Sequence, residues 1–136
     1  MKVLIAYDGS EAAGHALTRA GQIAQRGDAE VTVISVVPLQ ASGPRSAGPV
    51  ISGDVEEHGR ELDEAVARLK SEFSVDAEKI EAVGHPAESI VDEAERGKFD
   101  VIVVGHRGHH GVARFLVGST ATRVVTHAHC DVLVVR

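Results

Sequence analysis

The sequence predicts one α/β domain, a five-stranded parallel β-sheet with four helices packed against it. Three observations predict it. Four short apolar runs, at residues 3–7, 31–37, 101–104 and 132–135, are rich in β-branched residues and nearly continuous. Continuous rather than alternating apolarity suits strands buried on both faces. Between the runs lie segments with helical apolar spacing, and strict alternation of the two types implies right-handed crossovers. The 136 residues suffice for one core and one domain, spanning residues 1–136.

The elements follow in order. The first strand, at 3–7, runs into Asp8, Gly9 and Ser10. Ser10 is the expected N-cap of a helix that buries Ala13, Ala16, Leu17, Ala20, Ile23 and Ala24, with Gly27 as its stop. After the second strand, residues 38–54 carry three Gly, three Pro and three Ser. They are expected to form a flexible loop, either a surface insertion or a lid. A second helix then places Leu62, Ala65, Val66, Leu69 and Phe73 on one face. Its other face, with Glu61, Glu64, Arg68 and Glu72, is expected to be solvated. A weaker strand at 78–83 leads to Pro86, suited to the first turn of a helix carrying Ala87, Ile90, Val91 and Ala94. After the strand at 101–104, a last helix presents Ala121, Val124, Val125 and Ala128 ahead of the final strand.

Composition narrows the function classes. The formal charge is −6, so the chain as a whole does not attract phosphate backbones. Three Phe, one Tyr and no Trp leave little surface for stacking bases, which argues against a nucleic-acid partner. Cys130 is the single cysteine, so no intrachain disulfide is available, as suits a reducing compartment. The N-terminal apolar run is too short for a secretory signal, and no run could span a bilayer. A cytoplasmic location is expected, without membrane attachment.

In open parallel sheets, ligands bind beyond the carboxyl ends of strands where the strand order reverses. The residues after the fourth main run are the most informative: Gly105, His106, Arg107 and Gly108, followed by Gly118 and Ser119 at the start of the last helix. Glycines there permit positive φ and close approach to a ligand. A helix N-terminus offers free N–H groups to an anion, with the Ser119 and Thr120 hydroxyls beside them. Turn-making and capping alone would explain the same glycines, and spacing does not choose. Asp8 is equally open, between a ligand contact and a turn. Val36 is read as a base-facing or a core residue.

Eight histidines raise the question of a metal. His106, His109 and His110 cluster in the glycine segment, and His127 and His129 lie near the last helix end. Neither spacing is a zinc signature, and no metal site is assigned. No partner activates Cys130, which reads as a small packed residue. The Walker GxxxxGK[ST], the dinucleotide GxGxxG and the GxSxG elbow are all absent.

The segment Gly105-x2-Gly108-x9-Gly118-Ser119 resembles the G-x2-G-x9-G-[ST] nucleotide motif of the universal stress proteins. The opening Val-Leu-Ile-Ala-Tyr-Asp-Gly-Ser, Gly84-His85-Pro86, Asp100-Val-Ile-Val-Val-Gly105 and Cys130-Asp-Val-Leu-Val-Val135 match as well, so the resemblance covers essentially the whole chain. It implies a Rossmann-like sheet in the order 3-2-1-4-5. It assigns adenine and ribose to Ala6, Asp8 and Val36, with Val104 lining the base pocket, and phosphates to Gly105, Gly108, Gly118, Ser119 and Thr120; Tyr7 is counted among the nucleotide-binding residues. The implied ligand is ATP, or AMP or cAMP, with Mg2+ carried on the phosphates. Some members have a hydroxyl residue where this chain has Ala121, which removes one phosphate contact. No catalytic residue is assigned, and the implied role is a stress-response sensor or switch with little or no hydrolysis. A slow ATPase and a nucleotide-free scaffold are the alternatives. The final strand becomes an apolar edge, so a homodimer through Val132, Leu133, Val134 and Val135 is expected. A side chain at Gly118 is expected to occupy the phosphate volume.

Overall fold

A computed structural model of the chain describes residues 1–40, 50–51, 54–109 and 117–136. The elements are β1 (Lys2–Ala6), α1 (Glu11–Ala24), β2 (Glu30–Gln40), β3 (Val50–Ile51), α2 (Val55–Phe73), β4 (Ala77–Gly84), α3 (Pro86–Arg96), β5 (Val101–Gly105), α4 (Ser119–His127) and β6 (Asp131–Val135). Five strands pair in parallel in the order β4-β2-β1-β5-β6. Counting only those five, this is the expected 3-2-1-4-5. The strand order reverses between β1 and β5, which pair through Val3↔Val101, Leu4↔Ile102 and Ile5↔Val103.

The period-2 alternation of strand side chains sorts the core into two layers. Val3, Ile5, Val31, Val33 and Val103 pack on one face with α1 and α2, through Leu17, Leu62 and Leu69. Leu4, Ala6, Ile34, Val36, Ile102 and Val104 pack on the other with α3 and α4, through Ile90, Ala121 and Val124. Both faces of β1, β2 and β5 are therefore covered, which is why their sequences are apolar at successive positions.

Local signals set the helix ends. Ser10 caps α1, its side chain accepting from the Ala13 N–H at 3.2 Å. Gly27 lies past that helix, its N–H donating to the Ala24 carbonyl. Pro86 opens α3. Asp54 caps α2, accepting from the N–H groups of Glu56 and Glu57, so this helix starts two turns before its Leu62 stripe.

The described ends of segment 38–54 are ordered elements. β2 runs through Pro38 to Gln40, and its tip pairs antiparallel with β3 through Leu39↔Ile51 and Gln40↔Val50. Residues 41–49 and 52–53 lie outside the described residues. Two expected core positions are exposed: Ile23 at the end of α1, and Val125 on α4 at 53%. Both sit at the margin of their helix stripe, where the sheet no longer covers them. β6 is an edge strand, and Val132, Leu133 and Val134 are only half-buried. Among the described residues, no helix is long and apolar enough to cross a membrane.

Candidate functional site

A cavity of about 340 Å³ opens beyond the carboxyl ends of β1, β2 and β5. Its size is that of a small-molecule pocket, and its place is the switch point where parallel sheets bind ligands. One wall is apolar. Ala6, Ile34, Val36 and Val104 supply its sheet side, and Pro86, Ile90 and Ala121 supply its helix side. Ala121 is buried in this wall. The departure from a hydroxyl there adds apolar surface near the cavity.

The opposite end is built from β5 and α4. Gly105, Gly108, Gly118, Ser119 and Thr120 all border the cavity, together with Arg107 and His109. Gly118 is the N-cap of α4 and makes no side-chain cap bond. Its N–H donates to the His106 carbonyl at 2.6 Å, which closes the segment on itself at the helix start. The positive end of the α4 dipole thus faces the cavity rim, where an anion is stabilised.

The glycines here have reasons other than those expected. Among the described residues, Gly9 is the glycine with positive φ, at 78°. Gly105 and Gly108 do not need the left-handed region. A Cβ on Gly105 would lie 2.7 Å from the Ala12 carbonyl carbon, so Gly105 lets α1 approach the sheet. Among the described residues, a Cβ on Gly108 would meet the Asp8 carboxylate alone, at 3.0 Å. A Cβ on Gly118 would sit 3.0 Å from Cα of Arg107. That Cβ strikes backbone, so a side chain at this cavity-lining position strains the turn after β5 as well.

Asp8 makes the turn and also borders the cavity. Its Oδ1 accepts from the Ser10 N–H at 2.9 Å, turning the chain into α1. The His109 ring N–H donates to the Asp8 carbonyl oxygen and so ties the segment after β5 to the end of β1. Tyr7 and Asp8 complete the β1 border. All ten residues singled out by sequence line this one cavity. Of the neighbouring positions, His110 and Arg114 lie outside the described residues. Among the described residues, no three His, Cys, Asp or Glu side chains converge as metal ligands.

The α2 side was not legible in the sequence. His58 borders the cavity, with Nδ1 3.0 Å from Oγ of the buried Ser35. Glu61, expected in solvent, packs its carboxylate against Gly9. Burial raises its pKa; Glu57 and Asp8 raise it further, while His58 and His109 lower it. Arg68 likewise turns inward, donating to the Gly14 carbonyl and to Thr18. Tyr7 is shifted upward by burial and by Glu61, Glu64 and Asp8, against Arg68. Glu64 and Glu72 do lie in solvent.

Fold and cavity together define a Rossmann-like α/β domain with a cavity at its switch point. The sequence matches the profile of the universal stress protein family over residues 1–136, and the chain belongs to that family. It is 38% identical over 138 residues to Universal stress protein MJ0531 of Methanocaldococcus jannaschii, covering 99% of this chain and 81% of that protein. Among solved structures it is similar to universal stress protein UspA from Lactobacillus plantarum (TM-score 0.79, 33% identity, 100% of this chain and 97% of that one). It is similar also to a universal stress protein in complex with cAMP (TM-score 0.77, 30% identity, 100% and 97%). A third is the universal stress protein from Archaeoglobus fulgidus in complex with dAMP (TM-score 0.72, 26% identity, 100% and 98%).

Proposed function

We propose that this protein binds an adenine nucleotide in the switch-point cavity and acts as a nucleotide-dependent stress-response switch. The observation that carries the reading is the polarity of the cavity. An apolar slot between Val36, Val104 and Ile90 faces a cradle of N–H groups and hydroxyls at Ser119 and Thr120, where α4 starts after Gly118. A purine needs the first and a phosphate the second. Relatives of the same fold solved with cAMP and with dAMP support adenine as the base. ATP, AMP and cAMP would share the nucleoside half, and ATP would extend toward Arg107. Any Mg2+ would ride on the phosphates.

The reading extends to assembly. β6 ends the sheet with Val132, Leu133 and Val134 half-buried, and edge pairing with a second copy would complete their cover. Slow hydrolysis is a second reading, favoured by the imidazoles of His58 and His109 at the cavity. Calorimetric titration with ATP, AMP and cAMP tests the binding: saturable heat from at least one is expected, and none from all three defeats it. Product formation over hours, with and without Mg2+, separates switch from enzyme. Turnover above the blank would favour the ATPase.

A further inference from the structure

His58 has no counterpart in the glycine motif, and its surroundings give it a defined position. Ser35 sits on β2 between two residues of the apolar wall, Ile34 and Val36. Alternation turns Ser35 to the opposite face, toward α2, where it is fully buried. A buried hydroxyl needs a partner, and the one it has is Nδ1 of His58, at 3.0 Å. The bond fixes the imidazole against the sheet and occupies one of its two nitrogens. Among the described residues, Nε2 has no hydrogen-bond partner, and the ring borders the cavity.

The location within the cavity selects what His58 can touch. The phosphate cradle comes from β5 and α4. His58 approaches from α2 beside β2, which lies on the other side of β1 from β5. The base slot lies on the α3–α4 face of the sheet, whereas Ser35 and His58 lie on the α1–α2 face. The part of a nucleotide that joins base to phosphate and passes in front of β1 is the sugar. It would have Asp8 beneath it and His58 at its side. Its hydroxyls also fit the chemistry. With Nδ1 engaged, Nε2 is a donor in one neutral tautomer and an acceptor in the other, and a hydroxyl serves either.

We propose that His58, positioned by Ser35, contacts a ribose hydroxyl of the bound nucleotide and makes the site prefer ribo- over deoxyribonucleotides. The inference rests on the adenine-nucleotide reading above. The charged groups of this corner meet at Glu61, one turn along α2, whose carboxyl feels His58, Glu57, His109 and Asp8; Glu81 on β4 lies near Gly59, the residue after His58. An ionised carboxylate such as Asp8 can only accept from a ribose hydroxyl, whereas the imidazole Nε2 can also donate to one, so the two serve the hydroxyls differently.

The test compares AMP, 2′-deoxy-AMP and 3′-deoxy-AMP by calorimetry on the wild type, His58→Ala, His58→Gln and Ser35→Ala. The wild type is expected to bind AMP about fivefold more tightly than one of the deoxynucleotides, the worth of one neutral hydrogen bond. His58→Ala should lose that preference, and Ser35→Ala should weaken it. His58→Gln, which keeps a donor and an acceptor, should retain part of it. Thermal melting of each variant confirms that it is folded. A wild type that binds none of the three nucleotides defeats the adenine reading itself. Binding by the wild type with no preference, or with a preference that survives in folded His58→Ala, defeats only the assignment of His58.

Discussion

Replacing Gly118 by valine is expected to cost stability and nucleotide affinity through one contact. The new Cβ would lie 3.0 Å from Cα of Arg107 and 3.3 Å from the His106 carbonyl oxygen, both backbone atoms that cannot swing aside. Overpacking of this kind costs about 1–3 kcal/mol. Unfolding entropy of about 2.1 cal/mol/K per residue gives about 0.3 kcal/mol/K for a chain of this length. The midpoint of thermal unfolding should therefore fall by about 3–10 °C. The same displacement separates α4 from the turn after β5, because the Gly118 N–H to His106 carbonyl bond is what joins them. Losing two N–H contacts to a charged phosphate would cost about 3–6 kcal/mol, at least a hundredfold in affinity. Calorimetry with ATP, alongside thermal denaturation, reads both numbers. A folded Gly118→Val protein that binds ATP as tightly as the wild type would refute the assignment of phosphates to the α4 N-terminus.

The remaining predictions concern neighbouring groups. Gly105→Ala forces α1 back from the sheet, since its Cβ meets the Ala12 backbone at 2.7 Å, and should lower the melting temperature by several degrees. Among the described residues, Gly108→Ala displaces the Asp8 carboxylate alone and should melt closer to the wild type; equal melting of the two variants would show that Gly105 is not needed for packing. The Glu61 carboxyl is held above its ordinary value by burial against Gly9. The folded chain therefore holds that proton more tightly, so its contribution is full below about pH 4.5 and is lost as pH rises through the raised value. Glu61→Gln should flatten the fall of melting temperature over that window, and an unchanged pH profile would contradict it. Lysine at Val134 on the β6 edge should shift the proposed dimer toward monomer in sedimentation velocity, and a persistent dimer would place the interface elsewhere.

The fold was legible because both faces of the central strands are covered. That burial forces the continuous Val and Ile runs at β1, β2 and β5, and the helix stripes follow from the same packing. Even the weak run near Glu78 proved to be β4, an edge strand of alternating exposure, as its polar positions imply. The ends of segment 38–54 were less legible. The β2–β3 pairing depends on a tertiary approach of residues ten or more apart, and Pro38 reads locally as a strand terminator. On the site, the glycine segment and Asp8 were visible because they follow strands at the switch point and their combined spacing resembles a known nucleotide motif. Their reasons were not visible, because Gly105 answers to α1 and Gly118 to Arg107, neighbours that only the folded chain supplies. His58, Glu61 and Arg68 were misread or missed for a related cause. On α2 they look like an ordinary charged face, and only the packing of α2 across α1 and the end of β1 turns them inward.

Mass spectrometry of the freshly purified protein, denatured to release what it carries, tests the central claim most directly. The account predicts an adenine nucleotide in the released fraction, lost in Gly118→Val. No adenine nucleotide, together with no thermal stabilisation of the wild type by added ATP, AMP or cAMP, would contradict it.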